Sequence, residues 1–100
     1  MAKTRNYHDS LRDSLKDPKE AEAYLNASLE ENDPELFLLA LRNVAEAQGG
    51  MSKFAKRAKL NRESLYRMLS EEGNPQLDSL SQLLDAMGFR LAVGLKIRAS

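Results

Sequence analysis

The sequence predicts an all-α fold, a bundle of five helices with a C-terminal β-strand. Three observations lead there. Apolar residues recur at helical spacing through most of residues 18–87. Proline and glycine fall between these stretches, where helices begin and end. Only the last dozen residues change to a two-residue period.

The 100 residues make one small domain, and a hydrophobic content of 42% is enough for a single core. An N-terminal helical segment (1–32), a helical core (33–88) and the strand (89–98) divide the chain. Cysteine is absent, so no disulfide framework, thiolate chemistry or metal site is expected, and no cofactor either. The opening "MAKTRNYHDS" lacks the apolar centre of a signal peptide, and no run approaches the roughly 18 apolar residues of a membrane span. A cytoplasmic protein with no membrane partner is the expectation.

Tyr7, Leu11 and Leu15 recur every four residues, as one stripe of a short leading helix would, and this helix stops near Lys16 because Asp17 precedes a proline. Asp17 is then an N-cap, Pro18 takes the first helical position, and Glu20 is placed for a reciprocal capping contact. Ala21, Tyr24, Leu25 and Ser28/Leu29 trace one face until about Glu31, where Asn32 suits a left-handed closing residue. Asp33–Pro34 repeats the start signal. The following "ELFLLALRNVAEA" is apolar on several sides, which places it in the middle of the bundle, and Gly49–Gly50 closes it.

Two short pieces follow. Phe54, Ala55 and Ala58 form a narrow apolar stripe behind a Ser52 N-cap. Leu60 plugs the gap, Asn61 caps the second piece, and Leu65, Met68 and Leu69 face inward there. At 100° per residue Glu63, Arg67 and Ser70 point away from those three, with Ser64 and Tyr66 on the flanks. "SEEGNP" turns the chain, and a last helix carries Leu77, Leu80, Leu83, Leu84 and Met87 as far as Gly88. In "GFRLAVGLKI", Phe89, Leu91, Val93, Leu95 and Ile97 alternate with Arg90, Ala92, Gly94, Lys96 and Arg98, a half-buried strand whose partner would come from another molecule; a frayed extended tail folded over the core is the alternative.

Zero net charge conceals a division. Residues 1–50 carry six Lys/Arg against ten Asp/Glu, residues 51–100 nine against five, and Met51–Ser70 six against one. Local potential rather than net charge steers a polyanion, so nucleic acid remains a candidate partner.

Two short helices joined by a tight turn, the second with an exposed polar face, make a helix-turn-helix. In that motif the first helix crosses the sugar–phosphate backbone and the second enters the major groove, where base edges differ in their donors and acceptors. Arg62 or Arg67 can bond guanine, Glu63 can accept from a cytosine amino group, and Asn61 or Ser64 can take either role. Lys53, Lys56 and Tyr66 are better placed for phosphates, and a helix starting at Ser52 offers free amides to another.

The stretch "SKFAKRAKLNRESLYRMLSEEGNPQLDSLSQLLDAMGFRL" resembles the lambda-repressor-like helix-turn-helix domains, and more narrowly the HigA-like family of addiction-module antidote proteins. Ala55, Arg62, Glu63, Leu65, Tyr66, Arg67, Leu69, Ser70, Gly73, Asn74 and Pro75 match the family pattern. The upstream "LKDPKEAEAYLNASLEENDPELFLLALRNVAEAQGG" is similar to the family's N-terminal half, so the resemblance covers about residues 11–95. Two positions depart from it. Lys59 stands where many such domains carry glycine, at a cost of ~1 kcal/mol if left-handed geometry is still demanded. Met87 replaces a common leucine, with little change in volume.

The resemblance implies an antitoxin of a type II toxin–antitoxin pair, with a RelE/ParE-like toxin as partner and the double-stranded operator of its own operon as target. Its toxin-facing surface is expected in the acidic half, Asp17 to Glu35, with the C-terminal strand as the competing candidate through sheet augmentation. A stand-alone phage-type repressor and a protein-interaction adaptor are the alternatives. An enzyme is not expected. His8, Asp9 and Ser10 are mere sequence neighbours, Asp13/Asp17 and Glu30/Glu31 fall at helix ends, and no phosphate-binding glycine loop or metal-ligand spacing is present. A homodimer through the C-terminal strand is expected, because one reading helix covers too few base pairs and one strand lacks a ladder.

Overall fold

The computed structural model describes residues 7–97; the side chains of Tyr7 and His8 lie outside that description. It consists of six helices: α1 (Tyr7–Ser14), α2 (Pro18–Glu30), α3 (Pro34–Ala47), α4 (Met51–Ala58), α5 (Arg62–Met68) and α6 (Leu77–Ala86). The all-α expectation holds with one helix more than five, since the Tyr7–Leu15 stripe is a full helix in its own right. Leu15, at its end, is almost fully buried, and its carbonyl accepts a hydrogen bond from Gln48 Nε2 at 3.0 Å.

Helix starts follow local chemistry. Asp17 and Asp33 each accept a hydrogen bond at 3.0 Å from the amide two residues on, in front of a proline whose missing N–H costs nothing there. The reciprocal contact from Glu20 gives way to another donor–acceptor pair, because the Asp17 amide donates to the Ser14 carbonyl at 3.2 Å. Asn32 closes the α2 turn with φ 56°.

Helix α3 packs on α1, α2 and α4, and α4 packs in turn on α5 and α6. Leu41, Val44 and Ala45 on α3 have no exposed surface, and Phe54 of α4, Leu65 of α5 and Leu83 of α6 join them in one core. Three apolar positions expected to face inward do not: Leu29, Leu39 and Leu77 are half or more exposed. Leu29 and Leu77 fall beside the buried residues of α2 and α6, and Leu39 on the side of α3 opposite its buried residues.

The Ser52 N-cap is corrected. The N-cap is Gly50, two residues before Ser52, so helix α4 starts at Met51 and no side chain caps it. The buried Met51 side chain belongs to the core, and Gly50 turns the chain at φ 101°, open to glycine but not to side-chain-bearing residues.

The C-terminal strand is also corrected. Among the described residues there is no strand, and residues 90–97 carry no regular structure. Phe89 packs against the core and its amide bonds the Leu84 carbonyl at 2.8 Å, but the chain then leaves the helices. Alternation supplies the side chains of a strand but not the ladder partner that makes one, and an all-helical body has no sheet edge to lend. Residue 98, the last of the expected strand, lies outside the described residues.

Lys59 adopts the left-handed conformation, φ 57° and ψ 39°, so the turn geometry usually given to glycine is kept by a lysine. Lys59→Gly removes the Cβ clash but loosens the unfolded chain, for a net stabilisation of about 0.5–1 kcal/mol. Urea unfolding should show a raised midpoint at unchanged slope, with a smaller gain for Asn32→Gly because asparagine tolerates this region better.

Candidate nucleic-acid interface

The residues of interest sit on α4 and α5, and the turn between them comprises Lys59, Leu60 and Asn61 alone. A bond from the Leu60 amide to the Ala55 carbonyl, 2.8 Å, folds the chain back over the end of α4. The next residue, Asn61, starts α5: its side-chain oxygen accepts from the amides of Glu63 at 2.8 Å and Ser64 at 3.3 Å. That oxygen is therefore committed to the cap, and its NH₂ group is left for any outside contact.

Leu65 and Leu69 are buried and Met68 half-buried, which pins α5 from behind. Arg62, Glu63, Ser64 and Arg67 are exposed, and Tyr66 is half-buried at their edge. Ser70 is half-buried at the end of this face. Its hydroxyl donates to the Arg67 carbonyl at 2.7 Å and so finishes the helix. The loop beyond is drawn tight under α5 at Gly73, where an added Cβ would lie 2.1 Å from the Met68 carbonyl oxygen.

All six cations of the window are exposed: Lys53, Lys56, Arg57, Lys59, Arg62 and Arg67. They are not equally free. Lys53 donates to the Gln48 carbonyl at 2.9 Å, capping the C-terminal end of α3, and its ammonium stands 5.2 Å from the centre of the Phe54 ring. Arg57 covers the same ring at 5.9 Å. Lys56 makes no hydrogen bond or ion pair among the described residues. Ser52, at the second position of α4, is exposed beside an N-terminus that no side chain caps.

Sequence reasoning missed Arg42. It projects from α3, and its guanidinium lies 5.4 Å from the centre of the Tyr66 ring, over which Arg62 also stands at 5.7 Å. Each such contact contributes ~0.5–1 kcal/mol at an exposed site. Two guanidiniums on one ring also repel each other, and only Arg42 is offset by a carboxylate, Glu46 at 3.8 Å. An anion arriving at Tyr66 would meet two positioned cations. Nothing in the sequence signals Arg42, which reads as one charge within the core helix.

Next to this face lies an acidic one. Asp33, Glu35, Glu71 and Glu72 surround a groove of about 640 Å³ whose apolar wall is Leu36, Leu39 and Leu69, and Arg42 forms its border with α5. The expected acidic segment from Asp17 to Glu35 contributes only Asp33 and Glu35 to it. Glu71 and Glu72 arrive from the loop after α5.

These features define a small all-helical protein with a cationic two-helix face beside an acidic groove. The chain belongs to the family described as "probable addiction module antidote protein", whose model matches residues 6–95. This membership points to an antitoxin role and to a toxin partner. An uncharacterized protein of Haemophilus influenzae is 36% identical over 83 residues, covering 83% of this chain and 84% of the relative. No solved structure matches the chain. Among the described residues, no helix is long and apolar enough to cross a membrane.

Asn61→Ala should cost about 1 kcal/mol of stability through the lost cap, whereas Asn61→Asp should leave stability nearly unchanged. Thermal or urea unfolding of the two variants checks the pair, and equal losses in both would contradict the capping geometry.

Proposed function

We propose that the chain is the antitoxin of a type II toxin–antitoxin module, and that it also represses its own operon by binding operator DNA. In this reading α4 and α5 act as a lambda-repressor-like helix-turn-helix of the HigA-like kind. One observation carries the DNA half: the outward face of α5 presents Arg62, Glu63, Ser64 and Arg67 to solvent while Leu65 and Leu69 anchor it from behind. A helix held on one side and polar on the other is what major-groove reading requires.

Roles follow from freedom to move. Arg67 and Glu63 are the base readers, with Arg62, Ser64 and the NH₂ of Asn61 beside them. Lys56, Lys53, Tyr66 and the uncapped amides near Ser52 contact phosphates. Arg42, stacked on Tyr66, joins this second group. Two copies of the chain would set two α5 helices in successive major grooves about 34 Å apart, so the protein acts on a palindrome as a homodimer.

The toxin half rests on family membership and charge. A RelE/ParE-like toxin with a cationic surface would find four carboxylates and exposed leucines in the groove at Asp33, Glu35, Glu71 and Glu72. A stand-alone repressor would bind the same DNA with no toxin to neutralise. Growth rescue on co-expression with the neighbouring reading frame separates the two.

Arg62→Ala combined with Arg67→Ala should weaken operator binding at least about 30-fold, measured by fluorescence anisotropy, since each guanine contact is worth ~1–3 kcal/mol. Unchanged affinity would remove α5 from the interface. Lys56→Ala should lower the slope of log K against log salt by about 1, and Lys53→Ala by less because that ammonium already caps α3. Equal slopes in the two variants would contradict the assignment.

A further inference from the structure

The tail after Phe89 is the least satisfied part of the surface. Val93, Leu95 and Ile97 are 101%, 99% and 95% exposed, and they continue a row that starts with Leu91. Contiguous apolar surface of this kind marks an interaction site in a folded protein. The radius of gyration, 14.5 Å, exceeds the roughly 13 Å of a compact chain of this length, as a projecting segment would make it. At ~3.3 Å per residue, residues 92–97 reach about 20 Å when extended.

The same molecule carries an apolar groove that nothing fills. Leu29, itself 52% exposed, lines it together with Phe37, Leu80, Pro75 and Leu91, in a cavity of about 430 Å³ that adjoins a second of about 510 Å³ along α2. Leu29, Phe37 and Leu91 are common to both. Leu91 therefore lines the groove from its own chain, while Val93, Leu95 and Ile97 stand fully in solvent.

We propose that this groove is the seat of the tail of a second copy, each copy placing Val93, Leu95 and Ile97 against Leu29 and Phe37 of the other. Both complementary surfaces are on one chain, and both begin at Leu91, so a single twofold axis satisfies all four. Charge agrees with the choice of occupant. Beyond the groove the described tail carries Lys96 and no acid, and the groove edges carry Glu22 and Asp33 along with Arg90. The contact is made by side chains lodged in a helical groove and requires no sheet. It deepens the homodimer of the preceding section and rests on that reading.

Sedimentation equilibrium on the full chain without DNA tests the contact alone, so its failure leaves the DNA-reading face to the anisotropy measurement. The wild-type chain is expected to dimerise. Leu95→Glu and Leu29→Glu, both at exposed positions and checked for native circular dichroism, should each weaken the dimer roughly a hundredfold or more. Mixing the two variants should restore dimer above the level of either alone, because one intact tail then meets one intact groove. A monomeric wild type overturns the proposal, as does a Leu29→Glu chain that still dimerises, which would mean tail on tail. So does a wild-type monomer whose Leu95→Glu variant loses only growth rescue, which would assign the tail to the toxin.

Discussion

The burial of Phe54, Leu65 and Leu69 in the one shared core is the constraint on which the cationic face depends. Helices of eight and seven residues are too short to hold their shape in water alone. Their geometry is imposed by tertiary packing, and the turn at Lys59–Asn61 transmits it from one to the other. Once Ala55 accepts the Leu60 amide and Asn61 caps α5, the direction of α5 is fixed relative to α4. Every cation on the two helices is then placed by a backbone that cannot swing independently of the core. This is why a lysine is kept in a left-handed conformation at Lys59, since relaxing it would re-aim α5 and withdraw Leu65 from the core.

A second consequence concerns electrostatics. The chain is neutral overall, yet its cations and carboxylates are sorted onto adjacent faces that meet at Arg42. Screening confines the field of an exposed charge to about 8 Å at physiological salt. Local sorting, not net charge, therefore decides which partner each face attracts. Stacking on Tyr66 and Phe54 adds preorganisation, because a guanidinium already held over a ring loses less side-chain entropy when an anion binds it.

Local signals in the sequence were legible where one residue does one local job. Asp17, Asp33 and Asn61 cap helices, Pro18 and Pro34 start them, and Asn32 ends one, all from chemistry within four residues. The outward set on α5 followed from helical rotation alone. What stayed hidden depends on distant parts of the chain. Arg42 reaches Tyr66 only because α3 and α5 fold together, and Glu71 and Glu72 join Asp33 and Glu35 only through the same packing. Ser52 misled because a capping residue near an apolar stripe is ambiguous by a position or two, and the burial of Met51 settled it. The tail misled for a different reason: a two-residue period states which side chains share a face, while a strand also needs a neighbour.

That distinction bears on what the tail is for. A segment that packed on its own body would keep its apolar side chains covered along its length. Here the repeat that starts at Phe89 meets the groove at Leu91 and continues unbroken through Ile97, well outside it. Exposing three aliphatic side chains in water forgoes ~1.5–3 kcal/mol apiece. A cover supplied from outside the chain would recover that loss only on association, so the tail makes the stability of the assembly depend on protein concentration.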